Sequence, residues 1–167
     1  MHHAGTPEPL RALVWPAVAD EDVAADSAAR LLITGATQRG VEALARRIHD
    51  AGRRAQFPFV HMRARKLPID PESLKEHCSR VLEEAAGGSM LISDVEDMPP
   101  VVQERLIDFL AELELASRPS VSVRFVFGTT VSLLERVAAG TFSARLFYLV
   151  NIIHVVAGDG PVEAARV

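Results

Sequence analysis

The stretch LLITGATQRGVEALARRIHD, from Leu31 to Asp50, joins an apolar run to a helical pattern through a turn that contains two glycines. Leu31–Thr34 is short and apolar and reads as a strand. Val41, Leu44, Ala45 and Ile48 then recur on one face of a helix over Gly40–Asp50, with Gly52 as its stop. Glycines between a strand and a helix build a phosphate-binding loop, because backbone N–H groups at the helix start can face an anion. Such a loop follows G-x-x-x-x-G-K-[ST], with the lysine reaching the β/γ-phosphates and the hydroxyl on magnesium. Gly35 and Gly40 have this spacing, but Val41 stands at the lysine position and Glu42 at the hydroxyl position. A carboxylate there repels a triphosphate rather than holding its metal. Two readings stay open: a phosphate site stripped of its charge, or a glycine-assisted turn with no ligand.

A third reading fails on spacing. The opening of a short-chain dehydrogenase, T-G-x-x-x-G-x-G, would require glycine at Arg39 and Val41. That family also needs a tyrosine four residues before a lysine, whereas Tyr148 is followed at that distance by Ile152.

Outward from the loop, strand and helix patterns alternate. Further strands are expected at Phe59–Met62, Met90–Ile92 (reaching Val95), Val123–Phe127 and Ile152–Val156. Helices are expected over Pro71–Ala86, Pro99–Ala116 and Val131–Ala139, with Cys78 on the buried stripe of the first as a small core residue. Strands separated by helix-length segments imply a parallel sheet covered on both faces, hence a three-layer, doubly wound α/β domain. Residues 1–28 read as an N-terminal arm with a short helix around Trp15, residues 29–158 as the domain, and 159–167 as a C-terminal tail.

Composition narrows the function classes. A chain of 167 residues with 49% hydrophobic content suits one domain with a sizeable core. The formal charge of −4 gives no electrostatic case for nucleic acid or an anionic membrane. A single cysteine rules out an internal disulfide, and with no secretory signal or membrane-length apolar run the expected location is cytoplasmic. His49, His61, His77 and His154 show no metal-ligand spacing, and Asp94, Glu96 and Asp97 read as a solvated turn rather than a metal site.

The most specific block is GGSMLISDVEDMPPVVQERLIDFL, Gly87–Leu110. It resembles the Walker B region of the AAA+ ATPase core of sigma-54-dependent transcription activators, the bacterial enhancer-binding proteins. Gly87, Gly88, Asp97, Met98, Pro99, Gln103, Leu106 and Leu110 fall at that family's offsets. Arg54–Pro68 resembles its second strand and following loop, and Val123–Val155 its sensor strand through to the fifth strand. The resemblance implies a P-loop NTPase-like core with a five-stranded parallel sheet in the order 5-1-4-3-2. Leu31–Thr34 would then lie centrally, with Phe59–Met62 at an edge.

Carried over position by position, the resemblance also implies lost chemistry. The nucleotide loop becomes Gly35, Ala36, Thr37, Gln38, Arg39, Gly40, Val41 and Glu42, all vestigial. Ser93 stands for the magnesium-binding aspartate, Asp94 for the water-activating glutamate and Thr130 for the polar sensor. Ser143 and Leu149 replace the two arginines that reach a neighbouring γ-phosphate. Phosphoryl transfer rests on positioning and charge neutralisation, so a catalytically inactive, degenerate AAA+ domain is expected, with no catalytic residue, no metal, and ATP with magnesium only if the altered site still binds. Only 18 residues separate Pro68 from Gly87, too few for the family's GAFTGA insertion, so contact with the sigma factor is not expected. The expected role is a protein-binding or regulatory module in bacterial transcription, with an AAA+ regulator or a second copy of itself as partner. The contact residues would be Arg63, Arg65 and Lys66 or Phe147 and Tyr148. The alternatives are residual ATP binding with slow or partner-dependent hydrolysis, and a module that caps or poisons an active ring.

Overall fold

Strand-to-helix alternation places the five expected strands in one sheet. The computed structural model describes residues 19–116 and 122–158. In chain order they form α1 (Glu21–Asp26), β1 (Leu31–Thr34), α2 (Gln38–Ala51), β2 (Phe59–Arg63), α3 (Pro71–Glu84) and β3 (Ser89–Ser93). α4 (Pro100–Leu115), β4 (Arg124–Thr129), α5 (Leu133–Ala138), α6 (Ala144–Val150) and β5 (Ile153–Val156) complete the set. Single 3-10 turns follow β2 at Ala64–Lys66 and β3 at Val95–Asp97.

The five strands pair in the order β2-β3-β4-β1-β5. All four pairings are parallel, with Leu31 opposite both Val126 and Ile153, and Ser89 opposite both Phe59 and Arg124. This is the 5-1-4-3-2 order that the resemblance implied, with β1 interior and β2 at an edge.

Side chains alternate across the sheet, and the core divides accordingly. Leu32, Met90, Ile92, Phe125 and Phe127 face α3, α4 and α6, meeting Cys78, Leu106, Leu110 and Leu146. Leu31, Ile33, Leu91 and Val126 face α1 and α2, meeting Ala24, Val41, Leu44 and Ile48. Every residue of β3 is buried, as expected for an interior parallel strand. Each fully buried Leu or Ile contributes about 1.5–3 kcal/mol of transfer free energy.

Several boundaries differ from the sequence reading, each for a local reason. α2 begins at Gln38, two residues before the expected Gly40, because Thr37 caps it with its hydroxyl. The acidic run in the expected arm forms α1, whose Ala24 and Ala25 are buried against α2 while Glu21 pairs with Arg47 at 2.8 Å. Gly52 is needed beneath it, since a Cβ there would lie 2.5 Å from the Ala25 carbonyl oxygen. Helix α6 was not expected. Its seven residues are too few for a clear periodic signal, although Ser143 caps its first turn. The expected helix around Trp15 and the tail over 159–167 lie outside the described residues. The outer side of β5 is met by the peptide preceding α1, where Ala19 N–H donates to the His154 carbonyl at 2.8 Å.

Candidate functional site

The C-terminal ends of β1, β3 and β4 converge where α/β sheets carry their sites. Gly35–Thr37 crosses this end, and Gly35 N–H donates to the Thr129 carbonyl at 3.1 Å. Thr37 is extended, its hydroxyl accepts from Gly40 N–H at 3.0 Å, and its carbonyl accepts from Val41 N–H at 3.1 Å. Gly40 therefore lies inside the first helical turn, and its N–H is spent on the chain's own cap. Ala36, Thr37 and Arg39 are exposed, whereas both polar atoms of the Gln38 amide are buried without a partner among the described residues.

Val41 is only 1% exposed. Its Cγ1 occupies the space beside Gly128 on β4, where an added Cβ would approach to 2.5 Å. The side chain at the lysine position thus belongs to the core.

The two positions expected to hold metal, Glu42 and Ser93, meet a third residue that the sequence did not single out for this role. Ser93 is fully buried, and its Oγ is hydrogen-bonded to His61 Nε2 at 2.8 Å. The Glu42 carboxylate lies 3.6 Å from the same nitrogen. Burial pushes the His61 pKa down, and Arg63 adds to this against the opposing pull of Glu42, so the imidazole is neutral at neutral pH. Glu42, His61 and Ser93 form a short polar chain where magnesium would need an open carboxylate and a hydroxyl. Among the described residues no group of three or more His, Cys, Asp or Glu could hold a metal ion. A triphosphate with magnesium does not fit this set: buried Val41 stands at the expected lysine position, the carboxylate of Glu42 at the expected hydroxyl position, and Ser93 is bonded to His61.

Past β3 the chain turns sharply. Asp94 adopts φ 57°, the left-handed region, and among the described residues no other non-glycine has positive φ. Burial raises its pKa first, Glu96 and Asp97 raise it further, and Arg63 and Arg65 oppose the shift. The basic residues expected as a free contact loop therefore sit near an acidic turn, although Arg65 and Lys66 remain exposed. Glu96 is not a plain solvated turn residue, because its Oε1 accepts from Thr130 N–H at 3.0 Å and from Thr130 Oγ1 at 2.9 Å. The expected sensor is thereby tied to the turn.

On the far side, Gln103 joins α4 to α6. Its Nε2 donates to the Met98 carbonyl at 2.9 Å, and its Oε1 accepts from Ser143 N–H at 2.7 Å. Ser143 Oγ caps α6 by accepting from Leu146 N–H, so the residue at one arginine position has a structural task. Leu149, at the other, packs against the core. One expectation needs correction. Phe147 is 2% exposed and packs inward with Leu146 and Val150, so it offers no contact surface, whereas Tyr148 is 53% exposed. Successive residues of an α-helix are turned by about 100°, so Phe147 and Tyr148 fall on different faces of α6, and seven residues are too few for the period to show in the sequence.

The sheet order, the crossovers and the loop between β1 and α2 define a P-loop NTPase-like AAA+ core. The profile of the Sigma-54 interaction domain matches residues 21–156, and the chain belongs to this family. It is 33% identical over 143 residues to the nitrogen assimilation regulatory protein NtrX of Azorhizobium caulinodans, covering 75% of this chain and 31% of that protein. It is 32% identical over 151 residues to the regulatory protein AtoC of Escherichia coli, covering 78% of this chain and 32% of that protein. The chain thus spans about a third of these relatives' length. The crystal structure of NtrX from Brucella abortus in complex with ATP superposes with a TM-score of 0.67 at 30% identity, covering 82% of this chain and 35% of that one. The P-loop NTPase domain of a sigma-54 transport activator from E. coli shares the fold, with a TM-score of 0.59 at 22% identity and coverage of 82% and 88%. Among the described residues no helix is long and apolar enough to cross a membrane.

Proposed function

We propose that this chain is a catalytically inactive member of its family, working in the bacterial cytoplasm as a protein-binding or regulatory module in transcription. The observation that carries the reading is the convergence of Glu42, His61 and Ser93 at the metal-holding positions. An ATPase needs a hydroxyl and a carboxylate free to hold a cation there, whereas here Ser93 is bonded to His61 and the imidazole lies 3.6 Å from the Glu42 carboxylate. Buried Val41 supports the same reading, because the position expected to carry the phosphate-facing lysine carries an uncharged side chain packed in the core. The partner is a protein, either an AAA+ regulator of the same family or a second copy of this chain. Tyr148 and the exposed Arg65 and Lys66 are the proposed contacts. Calorimetric titration with ATP and magnesium tests the loss of chemistry. No saturable heat is expected, and a dissociation constant in the low micromolar range overturns the proposal.

A second reading is favoured by the likeness to NtrX crystallised with ATP and by the unpartnered Gln38 amide beside the loop. In it the chain still binds ATP weakly and hydrolyses it slowly or only beside a partner, with Asp94 nearest the reacting end. Hydrolysis that appears on mixing with an active family member, and disappears with Asp94→Asn, distinguishes it from the first.

A further inference from the structure

The opposite end of the sheet carries a second, differently charged cleft. Arg124 opens β4 and Ser89 opens β3, so their side chains lie a strand's length from the Gly35–Gly40 loop, roughly 17 Å for six residues. Arg124 is 3% exposed, deep for an arginine. Its Nε donates to the Ala29 carbonyl at 3.2 Å, while the N–H groups of one terminal nitrogen, Nη2, are buried and have no acceptor among the described residues. Among the described residues no carboxylate forms an ion pair with it. Burial, and then the charge of Arg54, lowers its pKa to about 10.

Arg124 lines a cleft of about 280 Å³ together with Arg53, Arg54, Ser27 and Asp26. Arg54 is held against the cleft wall by bonds to the Gly87 carbonyl at 2.8 Å and the Ser122 carbonyl at 2.9 Å. His49 contributes no free donor: its Nδ1 is bonded to Ser89 Oγ and its Nε2 to the Phe57 carbonyl. The His49 carbonyl, at the end of α2, already accepts from Gly52 N–H. Three guanidinium groups therefore line a site with one carboxylate, that of exposed Asp26, and the most buried of them has one terminal nitrogen, Nη2, without an acceptor among the described residues. Leaving buried charged donors unmet is costly, and an oxyanion is the ligand that meets them. A water takes up about 30 Å³ in the liquid, so the cleft has room for a phosphate group and a short organic body.

We propose that this cleft is an anion-binding site for a small phosphate-bearing molecule, separate from the nucleotide loop and independent of whether that loop binds ATP. Arg124 supplies the buried donors, Arg53 the charge at the mouth, and Ser27 a hydroxyl whose proton is free to donate while its oxygen accepts from Ala29 N–H. Asp26 is the opposing group and limits the affinity.

The test is calorimetric titration of the whole chain with inorganic phosphate, with glycerol 3-phosphate, and with sodium chloride at matched ionic strength. Saturable binding of a phosphate compound, absent with chloride, is expected. Asp26→Asn should tighten it and Arg53→Gln weaken it, each about three- to tenfold. Both residues are exposed, so both variants keep the fold. Tighter binding of glycerol 3-phosphate assigns the site to small organic phosphates, and equal binding assigns it to free phosphate. No saturable heat beyond chloride, or binding that neither variant changes, overturns the proposal.

Discussion

Gly128 and Val41 offer a quantitative test of why the loop lacks its lysine. A Cβ at position 128 would lie 2.5 Å from Val41 Cγ1, but at ordinary contact distances of 3.5 Å from Leu91 Cδ1 and 3.6 Å from Ser93 Cα. Carbon atoms rest about 3.5–4.0 Å apart, so the clash is with one methyl group only. Gly128→Ala should cost about 1–3 kcal/mol as overpacking, offset by roughly 0.5–1 kcal/mol because alanine loses less chain entropy than glycine. Val41→Ala removes two buried methyl groups and should cost about 2 kcal/mol. In the double variant the new methyl enters the vacated space, so the two costs should not add. A favourable coupling of about 2 kcal/mol is expected. Urea denaturation of the four proteins at pH 7.5, followed by circular dichroism, measures it. If the single costs add to within about 0.5 kcal/mol, Val41 is not the plug described here, and the account of position 41 fails with it.

Other perturbations have equally definite outcomes. Gln103→Ala strips the bonds joining Met98, Gln103 and Ser143, leaves buried partners unmet, and should lower stability by about 2–4 kcal/mol, read as a fall in urea midpoint at unchanged slope. Phe147→Asp should unfold the domain or cost about 4 kcal/mol or more, whereas Tyr148→Asp should leave the midpoint within about 0.5 kcal/mol; equal effects would refute the assigned orientation of α6. Burial is the leading cause of the lowered pKa at His49, His61 and His154, so the unfolded chain binds more protons just below pH 6.5. Their stability contribution is complete above pH 6.5 and is lost as pH falls toward the folded values. Asp94, with its raised pKa, acts in the opposite sense from pH 3.8 upward, one group against three. Thermal midpoints should therefore drop between pH 7.5 and 5.5, and a flat profile would contradict the burial of His49 and His154 and the partial burial of the His61 ring.

The sequence exposed the sheet because each interior strand is an uninterrupted apolar run, and such runs have few alternatives to burial on both faces. Leu31–Ile33 and Met90–Ile92 are of this kind, and their position beside the glycine turn and the Gly87–Leu110 block made the topology readable. The site was readable only in outline. Val41, Glu42 and Ser93 could be seen as departures, but nothing linear joins His61 to Ser93, which meet through the pairing of β2 with β3. Laying His61–Arg63 beside Leu91–Ser93 in parallel register would have brought them together. Thr37 could have been recognised as a cap by its hydroxyl three residues before Gly40, which moves the helix start and takes the glycine out of the loop. Arg124 gave no signal, because a single arginine before an apolar run reads as the polar edge of a strand.

The outer side of β5 carries its own consequence. A sheet ends in a row of unpaired backbone groups, and such a row can accept a strand from another molecule. At β5 that row is interrupted by Ala19, whose N–H occupies the His154 carbonyl. Shortening the chain to begin at Glu21 removes this donor, with the packing of Ala19 and the Asp20 carbonyl that accepts from Ala24 N–H, while Ala24 and Ala25 keep their place in the core. The domain would remain folded with a newly available acceptor on its margin, and its failure would take the form of self-association rather than melting. Ala19, just ahead of α1, thus occupies an acceptor that a strand from a second copy could otherwise take.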